Sequence, residues 1–158
     1  MRVLGIDPGG TTGLAVIDSD TRSLHVRELD FVETIDWLYM AIHAELSRID
    51  RVAIERYVIT GRTAKLSRQT EALEVIGWTR GLCQICEIPI TLQEPSAAKT
   101  AWSNERLRAA GLWTPAKDHA QDATRHAAFL LQNHGIVLKH AGTTASADET
   151  EDADGGDP

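Results

Sequence analysis

The 158-residue sequence is short of several things at once. No apolar run approaches the roughly 20 residues that a membrane-spanning helix needs. The first residues, Met1 to Ile6, read as a strand and not as the charged and apolar regions of a signal peptide. Both absences point to a cytoplasmic protein. Cysteine is limited to Cys83 and Cys86. A lone Cys-x-x-Cys without a second ligand pair is a poor zinc site, so the two read as reduced thiols in a cytosolic helix. Lys and Arg are missing from residues 141–158, which carry Asp148, Glu149, Glu151, Asp152, Asp154 and Asp157. That segment also lacks apolar periodicity and ends Gly-Gly-Asp-Pro, so a disordered acidic tail is expected there. Without it the formal charge of −7 nearly disappears, because 17 of the 23 acidic residues remain against 16 basic ones. Residues 1–140 suit one domain with a single core.

What is present starts with Val3, Leu4 and Ile6, a short apolar run that reads as a buried strand ending at Asp7. A Pro-Gly-Gly turn follows, and Thr12-Gly13 open a second apolar run, Leu14 to Ile17, so the two strands form a hairpin. A carboxylate at a strand end beside a sheet needs a partner, since burying it unpaired costs several kcal/mol. A metal cation is one answer and backbone amides of the turn are another. A third is a phosphate loop, because Asp7-Pro8-Gly9-Gly10-Thr11 resembles the first phosphate motif of the sugar kinase, actin and heat-shock ATPase superfamily. That superfamily needs two such domains and a second Gly-rich phosphate motif, for which the chain has neither length nor residues.

Further along, Leu24 and Val26 alternate with His25 and Arg27 as a half-exposed edge strand. Asp30 and Glu33 form a capping box, and Ile35, Leu38, Ile42, Leu46 and Ile49 follow at helical spacing. Arg51-Val52-Ala53-Ile54-Glu55 reads as a strand buried on both faces, again ending in a carboxylate. The stretch from Arg56 to Gln69 carries Arg56, Arg62, Lys65 and Arg68 with no acid. Four cations beside a carboxylate site fit a loop that meets a phosphate backbone, and Tyr57 is placed either to stack on a base or to pack. Thr70 to Glu87 reads as a helix with Leu73, Ile76, Leu82 and Cys86 near one face, and with Gly77 and Gly81 four apart, where close packing against another backbone would explain them. Ile90 to Leu92 is a fifth strand. Ser96 and Ser103 are candidate caps of two short helices, the first bearing Lys99 and Trp102. Thr114 as cap, Pro115 at the first position and Gly135 after the end bracket a last helix. Its stripe is Ala120, Ala123, Ala127, Leu130 and Leu131, with His119, Asp122 and His126 on the flank and Asp118 nearly opposite.

Asp7, Glu55, His119 and Asp122 thus recur at two strand ends and one helix flank, an oxygen-rich set suited to hard cations such as Mg²⁺ or Mn²⁺. Gly5-Ile6-Asp7-Pro8-Gly9 with Thr12-Gly13, Ile54-Glu55, and His119-x-x-Asp122-Ala123 together resemble the RuvC-type Holliday junction resolvases of the ribonuclease H-like superfamily. The likeness runs from Met1 to about His134. It implies an α/β fold with a five-stranded mixed sheet flanked by helices. It implies a homodimer that nicks two strands of a four-way junction with two Mg²⁺ or Mn²⁺ ions per site, and no nucleotide cofactor. By position, Asp7, Glu55 and Asp122 match the family's acids. His119 falls where the family carries Asp or His, and Lys99 resembles a basic residue near the scissile phosphate. Arg56, Tyr57, Arg62, Lys65, Arg68 and Lys99 are the expected DNA contacts, and Asp118 is an alternate ligand to His119. The loop after Glu55 has its own sequence, so forks, flaps or other branched DNA are open as substrates. A non-catalytic branched-DNA-binding module is the other reading, since a fold does not fix a function.

Overall fold

The computed structural model describes residues 1–43, 48–57, 69–115 and 117–138. Strand β1 (Arg2–Asp7) pairs antiparallel with β2 (Thr11–Asp18), and β2 pairs antiparallel with β3 (Ser23–Asp30). On its other side β1 runs parallel to β4 (Arg51–Glu55), which runs parallel to β5 (Ile90–Gln93). The result is the expected five-stranded mixed sheet, in the order β3-β2-β1-β4-β5. Helices α1 (Phe31–His43) and α2 (Gln69–Ile85) precede and follow β4, and α3 (Pro95–Ala101), α4 (Asn104–Ala109) and α5 (Asp118–Asn133) come after β5.

Successive side chains of a strand point to opposite faces, and this alternation sorts the sheet. Leu4, Ile6, Val52 and Ile54 join one apolar cluster with Leu38 and Ile42 of α1 and Val75, Ile76 and Leu82 of α2. Val3, Ile17 and Ala53 join a second with Trp102, Leu107 of α4, and Ala127, Leu130 and Leu131 of α5. By the same alternation Asp7 shares a face with Val3, and Glu55 shares one with Ala53. Both carboxylates therefore project on the α5 side. Helix α5 comes very close to that face. A Cβ on Gly5 would stand 2.0 Å from the Ala123 carbonyl oxygen, and one on Gly13 would stand 2.0 Å from that of His119. Backbone atoms cannot swing aside, so any larger residue would hold the helix off the sheet.

The capping box forms as expected: Glu33 N–H donates to Asp30 Oδ1 at 2.9 Å and Asp30 N–H to Glu33 Oε2 at 3.3 Å. Ser103 caps α4 by accepting from Arg106 N–H, and Gly135 takes the left-handed φ of 74° just past α5. All five residues of the expected α5 stripe are buried, and so are Gln121, Thr124, His126 and Ala128. Cys83 is buried and Cys86 partly so, both free, with the Cys83 thiol pushed up to about 11 by burial.

Four local expectations need correction. Helix α5 begins at Asp118 with Lys117 as its cap, so Thr114 and Pro115 precede it. Helix α3 begins at Pro95 after Glu94, which places Ser96 inside it and not at its cap. Ile49 is buried but follows α1 instead of extending it. Leu73 points outward at 44% exposure, because Ala72, Val75, Ile76, Thr79 and Cys83 form the inward arc of α2. Leu46, the loop cations Arg62, Lys65 and Arg68, and the acidic tail lie outside the described residues. No helix among the described residues is long and apolar enough to cross a membrane.

Candidate active site

Strand register lines up one row of residues across the whole sheet. Glu28 of β3 stands opposite Gly13 of β2, and Gly13 opposite Asp7 of β1. Ile6 pairs with Ile54, so the next residues, Asp7 and Glu55, sit side by side, and Glu55 stands opposite Gln93 of β5. Helix α5 crosses this row and engages almost every member. Glu28 Oε1 accepts the Ala120 N–H at 3.0 Å, tying down a helix-end donor that lacks an intrahelical partner. Gly13 lies against the His119 carbonyl. Asp7 Oδ2 is 2.9 Å from His119 Nδ1. Glu55 Oε2 is 2.9 Å from His126 Nε2, and Gln93 Oε1 is 2.8 Å from His126 Nδ1.

Asp122, one turn after His119, is held by cations on both oxygens. Lys99 Nζ of α3 reaches Oδ2 at 2.9 Å, and Arg125 Nη1 bonds Oδ1. Arg125 also reaches Asn104 Oδ1 and donates from Nε to the Trp102 carbonyl at 3.1 Å. That guanidinium is only 12% exposed and fixes the carboxylate against the α3–α4 connection, whereas Lys99 is 52% exposed on a flexible stem. The Lys99 ammonium is held above its usual range, first by its bond to Asp122 and further by the charges of Asp122, Glu55 and Asp7.

Asp7 is the most perturbed carboxylate. Its pKa is raised to about 6, first by burial; the His119 hydrogen bond opposes this, and the neighbouring charges of Glu55 and Asp122 add to it. Glu55 and Asp122 thus lie near enough to Asp7 for their charges to act on it. Beside Asp122 opens a cleft of about 390 Å³ lined by Lys99, Asn104, Trp113, Asp118, Gln121 and Arg125 among others. Asp118 is exposed there, on the cleft side, while His119 is the residue that meets Asp7. Among the described residues no three His, Cys, Asp or Glu side chains already converge as a metal cage.

Of the sequence-derived site residues, Asp7, Glu55, His119, Asp122 and Lys99 are brought together. Arg56 is at the surface, 3.1 Å from Glu94 in an exposed ion pair. Tyr57 packs against the apolar cluster of the α1/α2 side, the plainer of the two roles open to it. Glu28, Gln93, Arg125 and His126 were not foreseen as site residues. His126 had a local signal, four residues after Asp122 on the same helix flank, but Glu28 and Gln93 acquire meaning only through strand register.

Sheet order and the helices on its two faces give a ribonuclease H-like α/β fold. Within that class the chain has the fold of RuvC. It superposes on Thermus thermophilus RuvC in complex with a Holliday junction substrate with a TM-score of 0.67 and 18% identity, covering 88% of this chain and 99% of that one. A second Thermus thermophilus RuvC structure gives 0.59 and 20% over the same shares. No protein-family model matches the sequence, and no curated protein does.

Proposed function

We propose that the protein is a metal-dependent endonuclease that hydrolyses phosphodiester bonds in four-way or other branched DNA and works as a two-fold homodimer. The observation that carries this reading is the sheet row in which Asp7 and Glu55 sit side by side beneath His119 and Asp122. Mutually repelling carboxylates, one pushed to about 6, support a cation at their centre. Their oxygen-rich chemistry with one imidazole suits Mg²⁺ or Mn²⁺, two per site, held by Asp7, Glu55, Asp122 and His119. Such ions, when bound, supply an activated water and charge neutralisation at the leaving oxygen of a phosphodiester.

The chain's own groups do the rest. Asp7 and Glu55 are held at fixed strand ends, and Arg125 orients Asp122 from behind. Lys99, on its mobile stem, is free to move from Asp122 to a phosphate oxygen and offset charge there. The cleft beside Asp122 falls within the usual size of small-ligand pockets and gives a strand room to enter. Asp118 on that cleft is a second-choice ligand. The likeness to a RuvC captured with a Holliday junction supports branched DNA as the substrate class. Arg62, Lys65 and Arg68 are proposed to meet its backbone together with Arg56, and the acidic segment after residue 140 is proposed to be a tail outside the nuclease domain.

Cleavage of four-way, forked, flapped, duplex and single-stranded DNA with Mg²⁺ and with Mn²⁺ tests this. Branched substrates should be cut. Asp7→Asn, Glu55→Gln and Asp122→Asn should fall to background while junction binding in chelator persists. Junction binding by the wild type with no cleavage under either metal would leave a non-catalytic binding module in its place.

A further inference from the structure

We propose that His126 is a positioning residue that holds Glu55 in a single orientation by donating its Nε2–H to Oε2, leaving Oε1 as the atom presented to the site. This rests on the nuclease reading above and names a residue that reading does not use.

His126 is 1% exposed and lies between two strand ends, with Nε2 2.9 Å from Glu55 Oε2 and Nδ1 2.8 Å from Gln93 Oε1. Its neighbours on α5, Ala123, Ala127 and Leu130, are buried and apolar, so the stripe could have continued with an aliphatic side chain here. Enclosing an imidazole and an amide instead costs more than burying hydrocarbon unless each polar atom is matched.

For a neutral ring, matching the atoms fixes the tautomer. With Gln93 Oε1 facing Nδ1, that nitrogen must carry the proton. Nε2 would then offer a lone pair to a carboxylate, and the Gln93 amide nitrogen has no partner. The two ends of an amide are told apart only by their bonds. Exchanging them lets the Gln93 NH₂ donate to Nδ1 and Nε2–H donate to Glu55. What is then left unmatched is a carbonyl oxygen and one N–H in place of two N–H donors, and the clash of a ring lone pair with the Glu55 carboxylate is gone. Gln93 therefore sets the tautomer of His126, and His126 sets the carboxylate, in the way that outer partners orient metal-binding side chains. Glu55 has 19% of its side chain exposed, which leaves its second oxygen a route outward.

The test pairs metal binding with a readout independent of metal. Long-range ¹H–¹⁵N spectra of metal-free protein should show His126 protonated on Nε2 and not on Nδ1, and Glu55→Gln should shift the Nε2 resonance. The opposite tautomer overturns the proposal. Mn²⁺ binding without DNA should weaken about 10–100-fold in His126→Leu. His126→Gln, whose amide reaches the Nε2 position, should recover most of that loss. His126→Asn, whose amide reaches only the Nδ1 position, should not. If the leucine variant does not fold, the Gln and Asn variants compared at matched thermal midpoints decide, and equal Mn²⁺ affinity overturns the proposal. The two levels separate cleanly. Wild-type protein with no Mn²⁺ binding that depends on Asp7 ends the metal-site reading, and with it the proposal. Asp7-dependent binding that is indifferent to His126 ends the positioning role alone.

Discussion

Gly5 and Gly13 differ from Gly77 and Gly81 in what surrounds them, and the difference separates two uses of the same residue. A Cβ on either sheet glycine would collide with the backbone of α5, whereas one on either helix glycine would meet nothing within 4 Å. The first pair is consumed inside the molecule. It lets α5 descend until His119, Asp122 and His126 reach the strand-end acids. The second pair is exposed, on an outward arc of α2 shared with Leu73, Trp78 and Ile85, which are 44%, 42% and 74% exposed. Glycine inside a helix costs roughly 1 kcal/mol relative to alanine, and no contact among the described residues offsets it.

The sharpest way to break the contrast is to add one methyl group inside. Gly5→Ala and Gly13→Ala force α5 away from the sheet against carbonyl oxygens at 2.0 Å. Each should destabilise the fold by about 1–3 kcal/mol or more, as over-packed cores do. The variants that still fold should lose cleavage, because His119 no longer reaches Asp7. Denaturant melts read beside cleavage rates check this, and wild-type stability in Gly13→Ala would refute the close approach.

Asp7 extends the comparison from shape to charge, since α5 also brings the burial that perturbs it. In the metal-free protein the folded state keeps the Asp7 proton up to about pH 6, against 3.8 for an ordinary aspartate. Between those values the folded state binds more protons than the unfolded one. Stability should therefore fall as pH rises from about 4 to about 6, and the full penalty above that is at most roughly 3 kcal/mol. Asp7→Asn removes it. In chelator at pH 7.5 the variant should melt several degrees above wild type, the gap should close as the pH is lowered through about 6 to 4, and added Mn²⁺ should stabilise only the wild type. A variant that melts lower at pH 7.5 would make Asp7 a structural residue.

His119 and Asp118 refine the same point, because α5 turns one toward Asp7 and the other toward the cleft. His119→Ala removes the bond that lowers the Asp7 pKa, so carboxyl ¹³C titration should place Asp7 higher still, and cleavage should drop strongly. Asp118→Ala should leave the Asp7 titration unchanged and reduce cleavage less. Loss of activity in the Asp118 variant alone would reverse the ligand assignment.

Much of this arrangement was legible in the sequence because its signals are local. Two apolar runs ending in Asp7 and Glu55, the Asp30–Glu33 box, the α5 stripe and the stop at Gly135 each lie within one element. What stayed hidden depends on partners far along the chain. The start of α5 was misplaced at Thr114 because one of its donors is tied by Glu28, 92 residues away, and because the Thr114 N–H is taken by Gln121 Oε1 at 3.2 Å. Gly5 and Gly13 read as motif and turn residues, since nothing local announces that a helix 110 or so positions later will rest on them. His126 was placed on the right flank without a role, because its role comes from Gln93 and Glu55 meeting across two parallel strands.

The smallest expected effect tests the outer half of the comparison. Gly77→Ala and Gly81→Ala occupy open space in one subunit, so each should raise the stability of dilute, monomeric protein by about 0.5–1 kcal/mol through helix propensity. A four-way junction presents two equivalent strands, and one chain supplies one set of Asp7, Glu55, His119 and Asp122. Symmetric nicking therefore needs a closed two-fold pair. If the exposed arc of α2 is where the second copy sits, the glycines permit close backbone approach there, and the added methyl groups should weaken self-association while stabilising the monomer. Sedimentation across a concentration series, read beside denaturant melts at the lowest concentration, separates the two effects. Opposite signs place the dimer contact on α2. A gain in stability with unchanged self-association leaves the glycines exposed in the dimer too and moves the contact elsewhere. A protein that stays monomeric with and without a junction, and releases only singly nicked cruciform, would exclude the paired resolvase and leave a nuclease that cuts one strand of branched DNA.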